Sequence, residues 1–302
     1  MGSGKGQARR ASGLQPKLAA SGLQPGSRIA FGAEKLEASS PQPLARTDKP
    51  NIVRADGQRE WEENGERHRV GAPAVIRADG TVEWWEQGQR HRVGAPAEQH
   101  PNGAELWFQD DELHREDGPA VDWADGETKW CKEGKLHRVD GPAVKERDGT
   151  TRWYFEGELH RDGGPAIEHQ TGTKEWHRHG QLHREHGPAL ESKNGFQSWY
   201  LHGKHHREDG PAIIAPHGKQ EWYRHGRLHR EDGPARILSN GTKAWYVNGQ
   251  LHREHGPAVE GADGSRTFYL HGIQATEEEV EKIMRLDALK GIKLEAPEKA
   301  TF

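Results

Sequence analysis

The chain has 302 residues, of which Leu, Ile, Val and Phe make up only about 15%, less than the roughly 20% below which chains are usually disordered. The formal net charge is −4 and eleven Trp are present, so the high net charge of a disordered chain is missing. This composition excludes a thick two-layer core and a transmembrane helix, and the single cysteine, Cys131, excludes an internal disulfide and a thiolate metal cage.

Residues 1–50 are rich in Gly, Ser, Ala, Gln and Pro, and we predict a disordered basic tail. The tail has a net charge of +5, against −9 for residues 51–302, so peripheral contact with an anionic membrane is expected to be weak. Residues 1–33 contain no acid and would also suit an organellar transit peptide or a bacterial secretion leader. The default expectation is a cytoplasmic protein with a plain N-terminal extension.

A period of 23 residues, without insertions, organises residues 51–275. We number the units 1 to 9 by a recurring Trp, and Phe268 takes this position in an incomplete tenth unit. The Trp ladder consists of Trp61, Trp84, Trp107, Trp130, Trp153, Trp176, Trp199, Trp222 and Trp245. His-Arg pairs follow in the same register, beginning at His68, His91, His114, His137, His160, His183, His206, His229 and His252.

Each unit carries two turn signals. Asn-Gly or Asp-Gly opens eight of the ten units, as at Asp148 and Gly149, and this dipeptide favours a tight hairpin because both residues tolerate positive φ. A second turn carries Gly in every unit except the one with Asp111. A His precedes this Gly in four units, where a left-handed backbone would explain it. These residues are His179, His202, His225 and His271.

These signals predict an all-β fold: an elongated single-sheet solenoid of stacked β-hairpins, with nine full units and one partial unit. We expect the units to share a core made by the Trp ladder, the second aromatic residue, the Leu before His-Arg and the apolar residue after Pro-Ala. Two strands per unit, spaced about 4.8 Å apart, advance the array by about 10 Å per unit. The array would then be a rod of roughly 90 Å.

Residues 276–302 are predicted to form a C-terminal capping helix and tail. Thr276 and Glu279 make a capping box, residues 277–279 place acids at the positive helix end, and Gly291 is a stop signal. The helix, from about 277 to 290, should fold over the last hairpin. Its apolar residues are Val280, Ile283, Leu286 and Leu289.

The units resemble the MORN repeat, a β-hairpin module. The likeness rests on the 23-residue length, the Asp-Gly turn and the aromatic-x-x-Gly-x-x-His pattern, as in Tyr200, Gly203 and His206. The units differ in having Arg after the His, Gly four residues after the His instead of three, and an added Gly-Pro-Ala. They are similar to a variant subfamily of bacterial, phage and large-virus proteins. The resemblance implies a scaffold with protein partners, sometimes with membrane association, and supplies no catalytic residues.

The His-Arg pairs are predicted to be structural. Zinc needs its imidazoles about 2 Å from one ion, whereas equivalent residues of stacked units lie about 10 Å apart. An active site is one constellation of unlike groups, whereas these pairs recur nine times. We expect the imidazole and guanidinium groups to hydrogen-bond turn carbonyls and the acids that follow, such as Glu116 and Asp117. The sequence thus predicts no catalytic, cofactor or metal residues.

Two local features need separate interpretation. The first is a pair of histidine clusters that could bind nickel or zinc adventitiously. They are His177, His179, His183 and His186, and His202, His205 and His206. The second is Cys131, which takes the second-aromatic position of its unit and is therefore expected to be a buried filler.

The leading functional prediction is a non-enzymatic scaffold that binds a protein through positions that vary between units. Nucleic acid is disfavoured because the repeat array is acidic. We expect the variable residues to form two stripes along the array. The candidate partner-binding residues beside the Trp ladder are Lys129, Arg152, Lys174, Phe196, Gln220 and Lys243. Those after Pro-Ala are Asp122, Lys145, Glu168, Glu191 and Ile214.

Three alternatives remain open. An exposed aromatic ladder with rungs about 10 Å apart could stack on a glycan chain, as aromatic rings stack on bases; buried indoles would exclude this. A secreted bacterial effector with an N-terminal leader is the second alternative. Exposed strand edges could also pair with another copy of the chain.

Overall fold

The computed structural model describes residues 49–291, which belong to one compact unit. The predictions for the basic tail, including a leader at 1–33, and for the segment after Gly291 therefore lie outside the described residues. The repeat array is all-β, and one helix follows it. The predicted hairpin array is confirmed: a single antiparallel sheet of 21 strands runs through it, with two strands from each of the nine full units and three from the incomplete tenth unit.

Each strand of this long sheet pairs with the strands before and after it in chain order, and most strands are two residues long. The strands are Ile52–Val53, Arg59–Glu60, Val75–Ile76, Val82–Glu83, Glu98–Gln99, Glu105–Leu106, Val121–Asp122, Thr128–Lys129, Val144–Lys145, Thr151–Arg152, Ile167–Glu168, Lys174–Glu175, Leu190–Glu191, Gln197–Ser198, Ile213–Ile214, Gln220–Glu221, Arg236–Ile237, Lys243–Ala244, Val259–Glu260, Arg266–Leu270 and Ile273–Ala275. A short 3-10 helix, Pro216–Gly218, replaces the first turn of unit 8.

Each full unit also forms a second hairpin, which is a separate two-stranded sheet. In chain order these hairpins pair Glu62–Glu63 with Glu66–Arg67, Trp85–Glu86 with Gln89–Arg90, Phe108–Gln109 with Glu112–Leu113, Cys131–Lys132 with Lys135–Leu136, Tyr154–Phe155 with Glu158–Leu159, His177–Arg178 with Gln181–Leu182, Tyr200–Leu201 with Lys204–His205, Tyr223–Arg224 with Arg227–Leu228, and Tyr246–Val247 with Gln250–Leu251. A unit thus has two hairpins, one after the other along the chain. The sequence pattern predicted the two turns but not that each turn closes a separate hairpin.

The Trp of each unit joins its two hairpins. In unit 5 the backbone N–H of Trp153 donates to the carbonyl of Ala166 at 2.8 Å, and the carbonyl of Trp153 accepts from the N–H of His160 at 3.1 Å. Equivalent bonds recur in all nine units. The invariant Trp, His and Ala positions therefore meet where the chain passes from the long sheet to the second hairpin.

Successive second hairpins are also linked by backbone hydrogen bonds. The N–H of Gly157 in unit 5 donates to the carbonyl of Leu136 in unit 4 at 2.9 Å, and the N–H of Arg138 donates to the carbonyl of Tyr154 at 3.2 Å. The second turns lie side by side along one edge as a result. The predicted left-handed histidines are confirmed, with φ between 48° and 50° at His179, His202, His225 and His271.

The most deeply buried side chains are the alanines of the Pro-Ala pairs, all of which are fully buried. They are Ala74, Ala97, Ala120, Ala143, Ala166, Ala189, Ala212, Ala235 and Ala258. Each of these residues bonds the Trp N–H through its carbonyl, so two backbone segments lie close together there. The predicted burial of the next apolar residue is confirmed at Val75, Val121, Val144 and Ile167.

The C-terminal helix, α1, spans Glu277–Gly291 and begins with the predicted capping box. The N–H of Thr276 donates to Glu279 Oε2 at 2.8 Å, and the N–H of Glu279 donates to Thr276 Oγ1 at 3.2 Å. Val280 is buried, but Ile283 and Leu286 are 45% and 49% exposed. The helix therefore buries Val280 fully, and Ile283 and Leu286 only in part.

The side chain of Leu289 lies outside the described part of the helix. Between residues 49 and 291, no helix is both long and apolar enough to cross a lipid bilayer.

Candidate functional site

The Arg of every His-Arg pair lies against the indole of its own unit. In unit 5 the guanidinium carbon of Arg161 is 3.9 Å from the ring centroid of Trp153, and Arg161 Nη1 donates to the carbonyl of Pro165 at 3.0 Å. Both contacts recur in all nine units, with ring distances of 3.8 to 4.1 Å. The predicted bonds from Arg to loop carbonyls are confirmed, and a cation–π contact accompanies them.

The His of every pair links its unit to the next one. In unit 7, His206 Nδ1 accepts the backbone N–H of His225 at 3.2 Å, and the same bond reaches the second turn of the following unit in all nine cases. The expected imidazole bond to a turn carbonyl is therefore wrong, because the turn presents an amide donor there. The expected approach to the following acid occurs in some units, as between His229 Nε2 and Glu231 Oε1 at 3.4 Å.

The Trp ladder is only partly accessible. Trp61 is 6% exposed and the other eight indoles are half-buried. A guanidinium lies against each ring, so at least one π-face of every rung is already occupied. A sugar ring would have to displace a cation–π contact to stack there, and this disfavours the glycan alternative.

The two faces of the long sheet differ in character. Residues paired across strands point to the same side and adjacent residues in a strand point to opposite sides. The pairs Lys145 with Thr151, Thr151 with Glu168, and Glu168 with Lys174 therefore share one face, which we call the exposed face. The pair Val144 with Arg152 belongs to the other side, which we call the core face.

The predicted partner-binding residues divide between these faces. The exposed face collects Asp122, Lys145, Glu168, Lys174, Glu191, Ile214, Gln220 and Lys243. Lys129 and Arg152 lie on the core face, and Phe196 lies in the first turn of unit 7. The ladder-side candidates therefore do not form one stripe. They stand one, two or three residues before Trp, and successive strand residues alternate between faces.

The exposed face is charged and only partly engaged. Asp122, Lys145, Lys174 and Lys243 are exposed, and no ion pair involves them among residues 49–291. Three acids on this face, Glu168, Glu191 and Glu260, are bound by the Arg of a His-Arg pair. Glu168 Oε1 is 3.1 Å from Arg161 Nη1, and Glu191 Oε1 is 2.9 Å from Arg184 Nη1. The four exposed charges are therefore those best placed to meet a partner.

The core face holds charged groups that we did not predict from the sequence. Glu60 is 1% exposed and accepts from Arg54, from Gln58 at 2.8 Å and from Arg67 at 3.0 Å. The hydrogen bond from Arg54 is the main cause that lowers the pKa of Glu60 to about 2. The sequence signal for such a buried acid is its place directly before the ladder Trp. There it pairs across the sheet with the buried apolar residue after Pro-Ala.

Other core-face charges are also neutralised locally. Glu175 contacts His177 at 3.0 Å and His169 at 2.8 Å, and the bond from His177 is the main cause that lowers the Glu175 pKa to about 2. Two of the predicted partner-binding residues are engaged in the same way. Lys129 Nζ is 2.8 Å from Glu127 Oε1, and Arg152 Nε is 2.5 Å from Glu146 Oε1. These two side chains stabilise first hairpins.

The histidine clusters are divided among separate contacts. His177 bonds Glu175, His183 Nδ1 accepts the N–H of His202, and His205 Nδ1 lies 3.1 Å from Ser198 Oγ. In the described part of the chain no three His, Cys, Asp or Glu side chains are arranged to hold a metal ion. Four imidazole pairs from adjacent units do lie together, with centroids 4.2 to 4.7 Å apart.

The single thiol is buried, as the sequence predicted. Cys131 is 3% exposed, and burial raises its pKa to about 11. The protonated thiol is a poor nucleophile and a poor metal ligand at neutral pH. Cys131 thus fills the position that an aromatic residue takes in other units.

The sequence matches no protein-family model, and no curated protein aligns with it significantly.

Proposed function

We propose that the protein is a non-enzymatic scaffold that binds a protein partner through the exposed face of its long sheet. The observation that carries this proposal is that structural and variable residues are separate within each unit. The recurring Trp, His, Arg and Ala residues contact one another and the neighbouring unit. Exposed residues that change from unit to unit, including Asp122, Lys145 and Lys174, share one face.

The charge pattern of this face favours a protein partner over a polyanion. Going along the sheet, Asp122, Lys145, Glu168 and Lys174 alternate in sign. A nucleic acid or an anionic lipid surface would meet repulsive carboxylates at every second charged position, whereas a polypeptide can present a complementary pattern. The resemblance of the units to MORN repeats supports the same class of partner.

The test is the triple variant Asp122→Lys, Lys145→Glu and Lys174→Glu. We expect it to lose the partner, because all three reversed charges lie on the exposed face. The partner is first identified by affinity purification from the host with the wild-type chain. The purified partner is then titrated against each variant by calorimetry, and we expect affinity to fall by about 100-fold or more.

The matched control is Arg147→Glu, which changes the net charge by the same amount at an exposed first turn. It should bind the partner normally, and both variants should unfold at the wild-type temperature. Wild-type affinity in the triple variant would contradict the proposal. Loss of binding only when residues 1–33 are removed would instead assign recognition to the basic tail.

A further inference from the structure

The tips of the second hairpins carry exposed charges whose sign changes along the array. Units 1 to 3 present acids, namely Glu63, Glu66, Glu86, Asp110, Asp111 and Glu112. Units 6 to 8 present bases, namely Arg178, Lys204, Arg224 and Arg227, with histidines at their turns. The two middle units also differ. Unit 4 presents Lys132 and Lys135 around Glu133, and unit 5 presents Glu156 and Glu158.

Most of these charges form no ion pair within the described part of the chain. Among residues 49–291, no ion pair involves Glu66, Glu86, Lys204, Arg224 or Arg227. Five tip charges do have a partner. Asp111 is bound by Arg90 at 2.9 Å and Arg178 lies 3.5 Å from Glu185, and the other three, Glu63, Asp110 and Glu158, lie 3.0 to 3.5 Å from a histidine. The tips are therefore available to external charges.

The spacing of the tips is regular. Backbone bonds between successive second hairpins, such as the 3.1 Å bond from the N–H of Gly134 to the carbonyl of Leu113, hold neighbouring tips at the two-strand repeat of about 10 Å. Any partner that meets several tips at once must carry charges at the same period. Another copy of this chain meets that requirement.

We propose that two copies of the chain pair antiparallel along these tips, with unit 1 against unit 8, 2 against 7, 3 against 6, and 4 against 5. In this alignment each pair of tips has opposite charge: Glu63 and Glu66 meet Arg224 and Arg227, for example, and Glu86 meets Lys204. The arrangement has two-fold symmetry, so it closes at a dimer.

Other alignments of two copies are less complementary. A parallel pair in register places like charges together at every unit. A head-to-tail stagger of units 1 to 3 on units 6 to 8 leaves the middle units unmatched, and it also leaves ends that continue to add copies. The antiparallel pairing uses the hairpin tips and not the exposed face of the long sheet. It is therefore tested independently of the proposed partner binding.

The experiment is sedimentation equilibrium of the full chain. At low salt we expect a mass of twice 33.9 kDa. Dimerisation should weaken steeply with added salt, because exposed charges are screened over about 8 Å at physiological ionic strength. The double variants Arg224→Glu with Arg227→Glu, and Glu63→Lys with Glu66→Lys, should each raise the dissociation constant about tenfold or more. Each opposes like charges at both ends of its own homodimer.

An equimolar mixture of these two double variants should restore the dimer, because the acidic unit 8 of one meets the basic unit 1 of the other and the native ends also match. The control pair Arg147→Glu with Lys193→Glu makes the same charge change as the arginine double variant, but at first turns, and should dimerise like the wild type. The proposal is overturned if the wild-type chain stays monomeric at low salt, if the mixture fails to recover, or if the mass grows beyond two chains.

Discussion

At the scale of single residues, each recurring side chain has one role, repeated in every unit. The Arg covers the indole and holds the Pro carbonyl, and the His accepts an amide from the next unit. An imidazole nitrogen that accepts a hydrogen bond must be unprotonated. The protonation of these histidines is therefore coupled to the contact between units.

This coupling predicts a pH dependence of stability. Burial, reinforced by a neighbouring imidazole, lowers the pKa of His183, His206 and His252 below 6.5. Their stabilising contribution is complete above about pH 6.5, and it declines as the pH falls, because the unfolded chain binds protons first. We expect a lower free energy of unfolding in urea at pH 5.5 than at pH 7.5, with a slope of at most about 1.4 kcal/mol per pH unit for each histidine.

The two carboxylates with lowered pKa values titrate below the pH range of this measurement. Glu60 and Glu175 have pKa values of about 2 in the folded protein and ordinary values near 4.5, so their stabilisation is lost only below about pH 5. The control is His206→Asn, whose amide oxygen can accept a hydrogen bond but does not titrate. The proposed coupling would be contradicted if His206→Asn kept the wild-type slope of unfolding free energy against pH. It would also be contradicted if the stability of the wild-type protein rose toward pH 5.5.

At the scale of elements, the loop that follows His-Arg differs in backbone conformation between units. In unit 4 a Cβ added to Gly141 would lie 2.8 Å from the guanidinium carbon of Arg138, so a side chain there would force the stacked Arg to shift. Units 1 and 2 instead have Ala72 and Ala95 at this position. In both, the preceding glycine has a positive φ, 75° at Gly71 for example. In unit 5 Gly163 also has a positive φ, 73°, yet a Cβ on Gly164 would lie 2.9 Å from the guanidinium carbon of Arg161. The Ala of units 1 and 2 therefore belongs to the whole Val-Gly-Ala sequence and not to the positive φ alone.

The prediction is that Gly141→Ala destabilises the protein by about 1–2 kcal/mol, because the new methyl group displaces Arg138 from its indole. Adding Asp140→Gly converts Val139-Asp140-Gly141 into the Val-Gly-Ala sequence of units 1 and 2. We expect the double variant to recover most of the loss, although Asp140→Gly alone should be neutral or destabilising. Thermal and urea unfolding would measure this. Equal loss in the single and double variants would show that the Val-Gly-Ala sequence cannot replace Val-Asp-Gly in unit 4.

At the scale of the whole array, the hydrogen bonds that join units within residues 49–291 connect neighbouring units. The Trp–Ala, His–amide and second-hairpin bonds all join residues of one unit or of adjacent units. In such a chain, stability approximates a sum of similar unit and interface terms. Removing one full period should therefore recreate an interface of the same kind.

We expect deletion of residues 144–166 to yield a folded protein, since it joins Ala143 to Ile167 and preserves the Pro-Ala-apolar sequence. The slope of unfolding free energy against urea should fall by about one-tenth, in proportion to the surface lost. The control is deletion of residues 144–163, which removes 20 residues and breaks the 23-residue register. Followed by circular dichroism, the first deletion should unfold in one transition near the wild-type temperature, and the second should unfold at a lower temperature because one interface between units is lost. If neither deletion variant folds, each unit must need its own particular neighbours for stability.

The sequence by itself determined the elements that depend on local chemistry. Asp-Gly turns, left-handed residues at the second turn and the Thr276 capping box follow from preferences of residues close in the chain, and a period without insertions determines that units stack in one register. The burial of Cys131 followed from its place in the repeat.

Only the tertiary structure decided where side chains point and what they contact. Lys129 and Lys174 stand one and two residues before a ladder Trp, and they lie on opposite faces, because a shift of one residue in a strand reverses the side of the sheet. The His acceptor, the guanidinium on the indole and the fully buried alanines depend on contacts between segments that are separated in the chain. Such contacts form only when register and crossing at Trp are set, so no local pattern could specify them.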